Sequence, residues 1–370
     1  MAAQNNAPLP DGLEIAGYRI VKKIASGGFS IVYLAYDGDG AAVAIKEYLP
    51  AALVQRLPGQ LLPTVAPADL PAFRTGLKCF FDEARALAGI HHPNVVSVRN
   101  FFRAHETVYM VMAYESGDTL QDYIARQRSR NSRVGEAFIR SVFVQLLKGL
   151  RTVHAQKLLH LDLKPANIYL RTDGSPMLLD FGAARQTLNQ DLPTLTPMYT
   201  PGYAAPELYD KTGGLGPWSD IYSIGAAIFA CMVGAPPQPA DQRRSDDKMA
   251  AHFVQLQGQY SAELLQLVRW CLVLEPLERP QSLFALQKVL AALPLSLAVL
   301  PPVLAAQQAE GIPARMLARL RAALPQALRR WLGHGAANAS AGAVASTRGG
   351  NVATTVAGSE SPRDPPATRQ

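Results

Sequence analysis

Cysteine is scarce in this chain of 370 residues, and its three copies, Cys79, Cys231 and Cys271, stand far apart in no metal-binding or redox spacing. That pattern argues against a disulfide framework or a thiolate metal site, and each thiol reads as a small buried apolar residue in a reducing compartment. Nor is a secretory leader expected. The opening MAAQNNAPLPDG has neither a basic start nor an apolar run, so the expected location is cytoplasmic. Nor is there a run suited to a bilayer: PLSLAVLPPVLA, from Pro294, is short and broken by proline. Lysine is absent after residue 293, where eight Arg meet three acids. This stretch carries +5 of the formal net charge of +7, so the first 293 residues have no electrostatic support for a nucleic-acid partner.

What is present centres on HLDLKPAN, His160 to Asn167. A carboxylate, an ammonium and an amide share one short loop at fixed offsets, the set that phosphoryl transfer requires. Asp162 can accept the proton of an attacking hydroxyl, Lys164 can offset charge on the migrating group, and Asn167 can ligate Mg2+. Thirteen residues on, Asp180-Phe181-Gly182 follows an apolar run, Pro176 to Leu179, that reads as a short strand. It would deliver a second carboxylate, Asp180, as the other metal ligand.

Upstream, Tyr18 to Ile24, then Ala25-Ser26-Gly27-Gly28-Phe29-Ser30, then Ile31 to Leu34 reads as strand, turn, strand. By itself this is an ordinary Gly-Gly hairpin or a flexible tip whose amides lie over phosphates. Val43-Ala44-Ile45-Lys46 is a short apolar strand ending in an ammonium, which alone could be an edge strand with a solvated lysine. Val108 to Tyr114 reads as another strand, and Glu136 to His154 has the spacing of a long buried helix leading into the catalytic loop. Arg126, Arg128, Arg130 and Arg133 form a cluster that fits a solvated linker or an acidic-substrate docking patch.

With D-x-K-x-x-N, the DFG triplet, VAIK and Ala205-Pro206-Glu207 in this order, the sequence resembles the eukaryotic-like bacterial serine/threonine protein kinases. EYLP, LLDFGAAR and TPGYAAPELY resemble a bacterial subgroup. The resemblance implies an α+β, two-lobed fold: a small antiparallel-sheet lobe with one main helix at about 11–113, and a larger, mostly helical lobe at about 114–293. Outside it lie an N-terminal extension, 1–10, an apolar and basic helical extension, 294–335, and a disordered tail, 336–370. Within the extension, Ile312 to Gly333 carries five Arg and no acid, so it fits a basic amphipathic helix making weak peripheral contact with the inner membrane, or one docked on the large lobe.

The implied activity is transfer of the γ-phosphoryl of Mg-ATP, with Mn2+ as an alternative ion, to Ser or Thr hydroxyls of protein substrates, including autophosphorylation. The implied catalytic residues are Asp162, Lys164, Lys46, Glu83 and Thr200. Lys46 would bridge phosphates and pair with a helix carboxylate, Glu83, which lies nine residues before His92-Pro93-Asn94; Asp82 is the rival. Thr200 would bond Asp162 and Lys164. ATP would contact Ile24, Ala25, Ser26, Gly27, Gly28, Phe29, Ser30, Val32, Ala44, Lys46, Met112, Ala113, Glu115, Asn167 and Asp180, with Met112 as gatekeeper and Asn167 and Asp180 on the metal. Two departures stand out: Ala25 and Ser30 replace the first and third glycines of the phosphate loop, and Leu161 replaces the arginine that often precedes the catalytic Asp. The altered loop motivates a rival reading, a pseudokinase scaffold. A small-molecule phosphotransferase of the same fold is disfavoured by Thr200 and the Ala205-Pro206-Glu207 segment. Glu207 is expected to pair with Arg279, and Asp220 to anchor the catalytic loop. The long stretch Glu47 to Phe81, with five prolines, reads as an ordered loop on the small lobe.

Overall fold

The computed structural model describes residues 4–181, 199–210 and 214–292, all in the first of two compact units into which the chain divides, 1–300 and 301–370. Gly182, Thr194, Thr196 and the segments expected at 294–335 and 336–370 lie outside the described residues.

The first lobe is an antiparallel sheet. Its strands are β1 (Glu14–Ile15), β2 (Tyr18–Gly27), β3 (Ser30–Tyr36), β4 (Ala42–Tyr48), β7 (Val98–Ala104) and β8 (Thr107–Ala113), in the order β1-β2-β3-β4-β8-β7. A period of two sorts their side chains onto opposite faces. Ile31, Tyr33 and Ala35 of β3 and Val43, Ile45 and Glu47 of β4 share one face, and all are buried. The opposite face of β4 carries Ala44, Lys46 and Tyr48; there Tyr48 stacks against Phe73 of helix α1 (Leu70–Ala88), with ring centroids 5.6 Å apart.

That helix corrects the reading of the stretch before Glu83. Only its first part is loop-like, folded back as a small hairpin of β5 (Val54–Gln55) and β6 (Thr64–Val65); from Leu70 onward it is helix. Prolines suggested a loop, but Pro71 sits in the first helical turn, where a missing N–H breaks no bond and the fixed φ is already helical. Phe73, Gly76, Phe80, Glu83, Ala84 and Leu87 then form one buried stripe at spacings of three and four. Gly76 is required for close approach, since a Cβ there would collide with the Tyr48 hydroxyl.

The second lobe begins with β9 (Gly117–Thr119), which joins β10 (Ile168–Arg171) and β11 (Pro176–Leu178) in a three-stranded sheet. Its helices are α2 (Leu120–Ser129), α3 (Glu136–Ala155), α4 (Pro217–Val233), α5 (Ala240–Arg243), α6 (Met249–Gln255), α7 (Ala262–Cys271) and α8 (Leu283–Ala292). Thr119 starts α2 with a reciprocal cap: its hydroxyl accepts from the Asp122 amide, and the Asp122 carboxylate accepts from the Thr119 amide. Every residue from Ser219 to Met232 in α4 is buried, so this helix is apolar all round and forms the axis of the lobe, packed by α3 and α7. Among the described residues no helix is long and apolar enough to cross a membrane. The α+β, two-lobed organisation expected from the motifs is the one found.

Candidate active site

The central helix positions the catalytic loop through one carboxylate. Asp220, in the first turn of α4 and wholly buried, accepts from the Leu161 amide at Oδ1 (2.8 Å) and from the His160 amide at Oδ2 (2.9 Å). His154 Nε2, at the end of α3, also reaches Oδ2, at 2.7 Å. Burial alone would raise the Asp220 carboxyl, but the His154 bond and the backbone donors hold it below its usual value. The chain needs this anchor because Leu161 has φ of +62°, a left-handed conformation unusual for a leucine. With the backbone so turned, the Leu161 side chain is 2 % exposed and enters the core.

His160 ties the loop to the second carboxylate. Its Nε2 donates to the Leu179 carbonyl (3.0 Å), while its Nδ1 faces the Asp162 amide at 3.4 Å. The Leu179 amide donates to the Asn167 carbonyl at 2.9 Å. These bonds place Asp180 beside the loop, and Phe181 turns inward against the His160 ring, centroids 4.4 Å apart.

Asp162, Lys164, Asn167 and Thr200 then form a closed polar set. Lys164 Nζ donates to Asp162 Oδ2 (2.6 Å) and to Thr200 Oγ1 (2.7 Å); Thr200 donates to Asp162 Oδ1 (2.9 Å). Asn167 Nδ2 donates to the Asp162 carbonyl (2.9 Å) and Oδ2 (3.1 Å), which fixes the amide orientation and leaves its oxygen as the remaining metal-capable atom.

From the first lobe, Lys46 Nζ meets Asp180 Oδ1 at 2.6 Å. Burial pushes the Asp180 carboxyl up, but the Lys46 charge and hydrogen bond outweigh it and hold the group at about 2. The direct Lys46–Asp180 contact was not read from the sequence, where a separation of 134 residues gives no local signal. Glu83 is buried on the inner stripe of α1, and Asp82 is half-buried beside it. Val32 and Lys46 are cross-strand partners, as are Ala25 and Val32, and Ala44 and Met112, so Val32, Ala44, Lys46 and Met112 share the sheet face on which Lys46 reaches Asp180. Ile24 and Phe29 remain exposed at the β2–β3 turn, with Ser26, Gly27, Gly28 and Ser30 between and beside them. Ala113 ends β8; beyond it, the Glu115 carbonyl accepts from the Tyr169 hydroxyl (3.1 Å).

Asn167 and Asp180 supply oxygen donors, the chemistry suited to Mg2+, which takes few protein ligands and completes its shell with water and phosphate. No group of three or more His, Cys, Asp or Glu among the described residues could hold a metal without such help.

Behind the site, Glu207 and Arg279 meet fork to fork at 2.8 and 2.9 Å. The remaining guanidinium donors go to the carbonyls of Val273, Trp218 and Leu274, and Ser219 Oγ donates to Glu207 Oε1, so the buried pair is fully satisfied.

The model of the protein kinase domain matches residues 18–290. Over 254 residues, 68 % of this chain, it is 31 % identical to the serine/threonine-protein kinase PknK of Mycobacterium tuberculosis, of which the match covers 20 %. It is 30 % identical over 226 residues to CBL-interacting serine/threonine-protein kinase 21 of Arabidopsis thaliana, covering 60 % of this chain and 48 % of that protein. The chain thus spans less than half the length of these curated relatives. Among solved structures, PpkA-294 in its apo form superimposes with a TM-score of 0.68 at 34 % identity, covering 76 % of this chain and 99 % of that one. The Mycobacterium tuberculosis PknI kinase domain shares the fold at a TM-score of 0.57 and 22 % identity, covering 77 % of this chain and 99 % of that one. With the family model spanning both lobes, from β2 into α8, this chain belongs to the protein kinase domain family.

Proposed function

We propose that the chain transfers the γ-phosphoryl of ATP to Ser and Thr hydroxyls of protein substrates, itself included. The observation that supports this best is the closed set around Asp162: Lys164 and Thr200 hold both carboxylate oxygens at hydrogen-bond distance while Asn167 fixes the loop from the other side. Asp162 accepts the proton of the incoming hydroxyl, and Lys164 offsets the charge that gathers on the phosphoryl oxygens. Lys46 orients the nucleotide phosphates from the sheet face, with Glu83 on the adjoining helix as its proposed carboxylate partner. Val32, Ala44 and Met112 provide the apolar wall for the base, and the backbone of Ala113 and Glu115 its polar partners. Asn167 Oδ1 and the Asp180 carboxylate would hold Mg2+ or Mn2+, which supplies neutralisation of the phosphate charge.

The test is phosphosite mapping by mass spectrometry after incubation with Mg-ATP, alongside Asp162→Asn. Removing a general base is expected to lower kcat about 100-fold or more, with the thermal midpoint little changed. An Asp162→Asn variant that turns over at the wild-type rate would refute the role, and a wild-type protein that binds Mg-ATP without forming a phosphosite would instead be a nucleotide-binding scaffold.

A further inference from the structure

The β2–β3 turn is held from outside the hairpin. Three successive carbonyls, those of Gly27, Gly28 and Phe29, each accept a hydrogen bond from elsewhere in the chain. The Leu49 amide donates to Phe29 (2.8 Å), the Ala51 amide to Gly28 (2.8 Å), and the Gln4 side-chain amide to Gly27 (3.2 Å). Gln4 Nε2 also donates to the Leu49 carbonyl at 2.7 Å, so one side chain joins the turn to the segment that follows β4. Its orientation is set by Asn6, whose backbone amide (3.3 Å) and Nδ2 (2.9 Å) both donate to Gln4 Oε1, leaving Nε2 facing the two carbonyls.

The donors are themselves fixed. Residues 6–9 lie against β5 and β3: the Ala7 amide donates to the Arg56 carbonyl (3.0 Å), the Arg56 amide to Asn6 Oδ1 (2.7 Å), Arg56 Nε to the Ala7 carbonyl (2.8 Å), and the Leu9 amide to the Tyr33 hydroxyl (3.1 Å). Arg56 is buried and forks onto Glu47 at 2.5 and 2.8 Å, and Tyr33 and Tyr109 donate to the same carboxylate at 2.7 and 2.8 Å. Burial, then the Glu47 charge, pushes both tyrosine hydroxyls well above their ordinary range, so they stay neutral donors. No part of this arrangement depends on an exposed ion pair.

In a trans peptide the N–H points opposite to the C=O. With the Gly27, Gly28 and Phe29 carbonyls drawn onto residues 4 and 49–51, the amides of Gly28, Phe29 and Ser30 are directed away from those donors. A turn with Ala25 and Ser30 in place of two glycines samples fewer backbone conformations, and external bonds further restrict those it keeps. We infer that residues 4–9, through the side-chain amide of Gln4, are a brace that pre-sets the turn for nucleotide phosphates, making Gln4 a positioning residue for ATP. This rests on the proposed kinase reading in its assignment of the turn to the phosphates.

The experiment compares full-length protein with Gln4→Glu and Gln4→Ala. Glutamate is nearly isosteric but cannot donate to two carbonyls, so it separates the hydrogen bonds from packing. Two readouts are needed: calorimetric titration with Mg-ATP, and hydrogen exchange of the peptide covering residues 24–30. Both variants are expected to weaken Mg-ATP binding about three- to tenfold and to speed exchange in that peptide, with the thermal midpoint unchanged. In steady state the loss should appear in KM for ATP and leave kcat within about twofold. A Gln4→Glu protein that binds Mg-ATP and exchanges as the wild type does would overturn the inference whatever the activity. A wild type that binds Mg-ATP but forms no phosphosite would refute phosphoryl transfer and leave the brace standing, whereas failure to bind Mg-ATP at all would refute both.

Discussion

Replacing Asp220 with asparagine keeps the shape of the side chain and removes one acceptor. In the wild type Oδ1 serves the Leu161 amide, while Oδ2 serves the His160 amide and His154 Nε2. Whichever way the new amide turns, its NH2 faces a backbone N–H. A hydrogen bond to a charged group contributes about 1.5–3 kcal/mol, and an orphaned buried donor costs about 1–3 kcal/mol. The turned backbone at Leu161, worth about 1–2 kcal/mol of strain, also loses its restraint and can relax, which displaces Asp162. A loss of about 3–5 kcal/mol follows, a large share of a domain's stability. It should appear as a fall in thermal midpoint of roughly 6–10 °C and a fall in kcat of tenfold or more. The pH dependence gives a second check. Because the folded Asp220 carboxyl lies below its unfolded value of about 4, its contribution is complete above that value and disappears as pH falls through the folded one. The gap between wild type and variant should therefore be in force at pH 5 and narrow in stronger acid. A variant within about 0.5 kcal/mol of wild type by urea unfolding, with unchanged kcat, would refute the anchoring argument, since only near-complete water access could make these bonds so cheap to lose.

Glu207→Ala leaves the Arg279 guanidinium buried without its partner and should cost about 3–5 kcal/mol, measured by urea unfolding; the double variant with Arg279→Met should recover part of that loss. Asp180→Asn should bind nucleotide less tightly in a Mg2+-dependent way, shown by titrating residual turnover with Mg2+. For regulation, buried Leu161 offers no cation to a phosphate on the activation segment. Dephosphorylated protein and the Thr194→Ala, Thr196→Ala double variant should therefore match the phosphorylated form within a few-fold in initial rate, and a tenfold deficit would show another basic residue filling that role.

Short-range chemistry was legible in the sequence because it depends on offsets within one loop or strand. Asp162, Lys164 and Asn167 could be read together since six consecutive residues carry them, and the Glu207–Arg279 pairing came through the resemblance. Legibility ended where a contact depends on tertiary placement. The helix from Leu70 was read as a loop because proline was counted as punctuation, although Pro71 falls in the first helical turn, which tolerates it. Gln4 sits among polar residues that look like an unstructured start, and only the folded backbone brings its partners, the Gly27 and Leu49 carbonyls, beside it. His154 had no motif of its own, and its bond to Asp220 spans 66 residues.

The adjacent Lys46 and Glu47 of β4 have a consequence for how the sheet is assembled. They occupy opposite faces, one meeting Asp180 and the other Arg56. A slip of one residue one way would bring Glu47 against Asp180, carboxylate against carboxylate, and a slip the other way would bring Lys46 against Arg56, ammonium against guanidinium. Both errors are electrostatic, so each direction of slip carries its own penalty, the heavier one at the fully buried Arg56. The dipeptide that serves the nucleotide side of the sheet thereby also encodes its alignment, and charge order along β4 acts as a key that only one register fits.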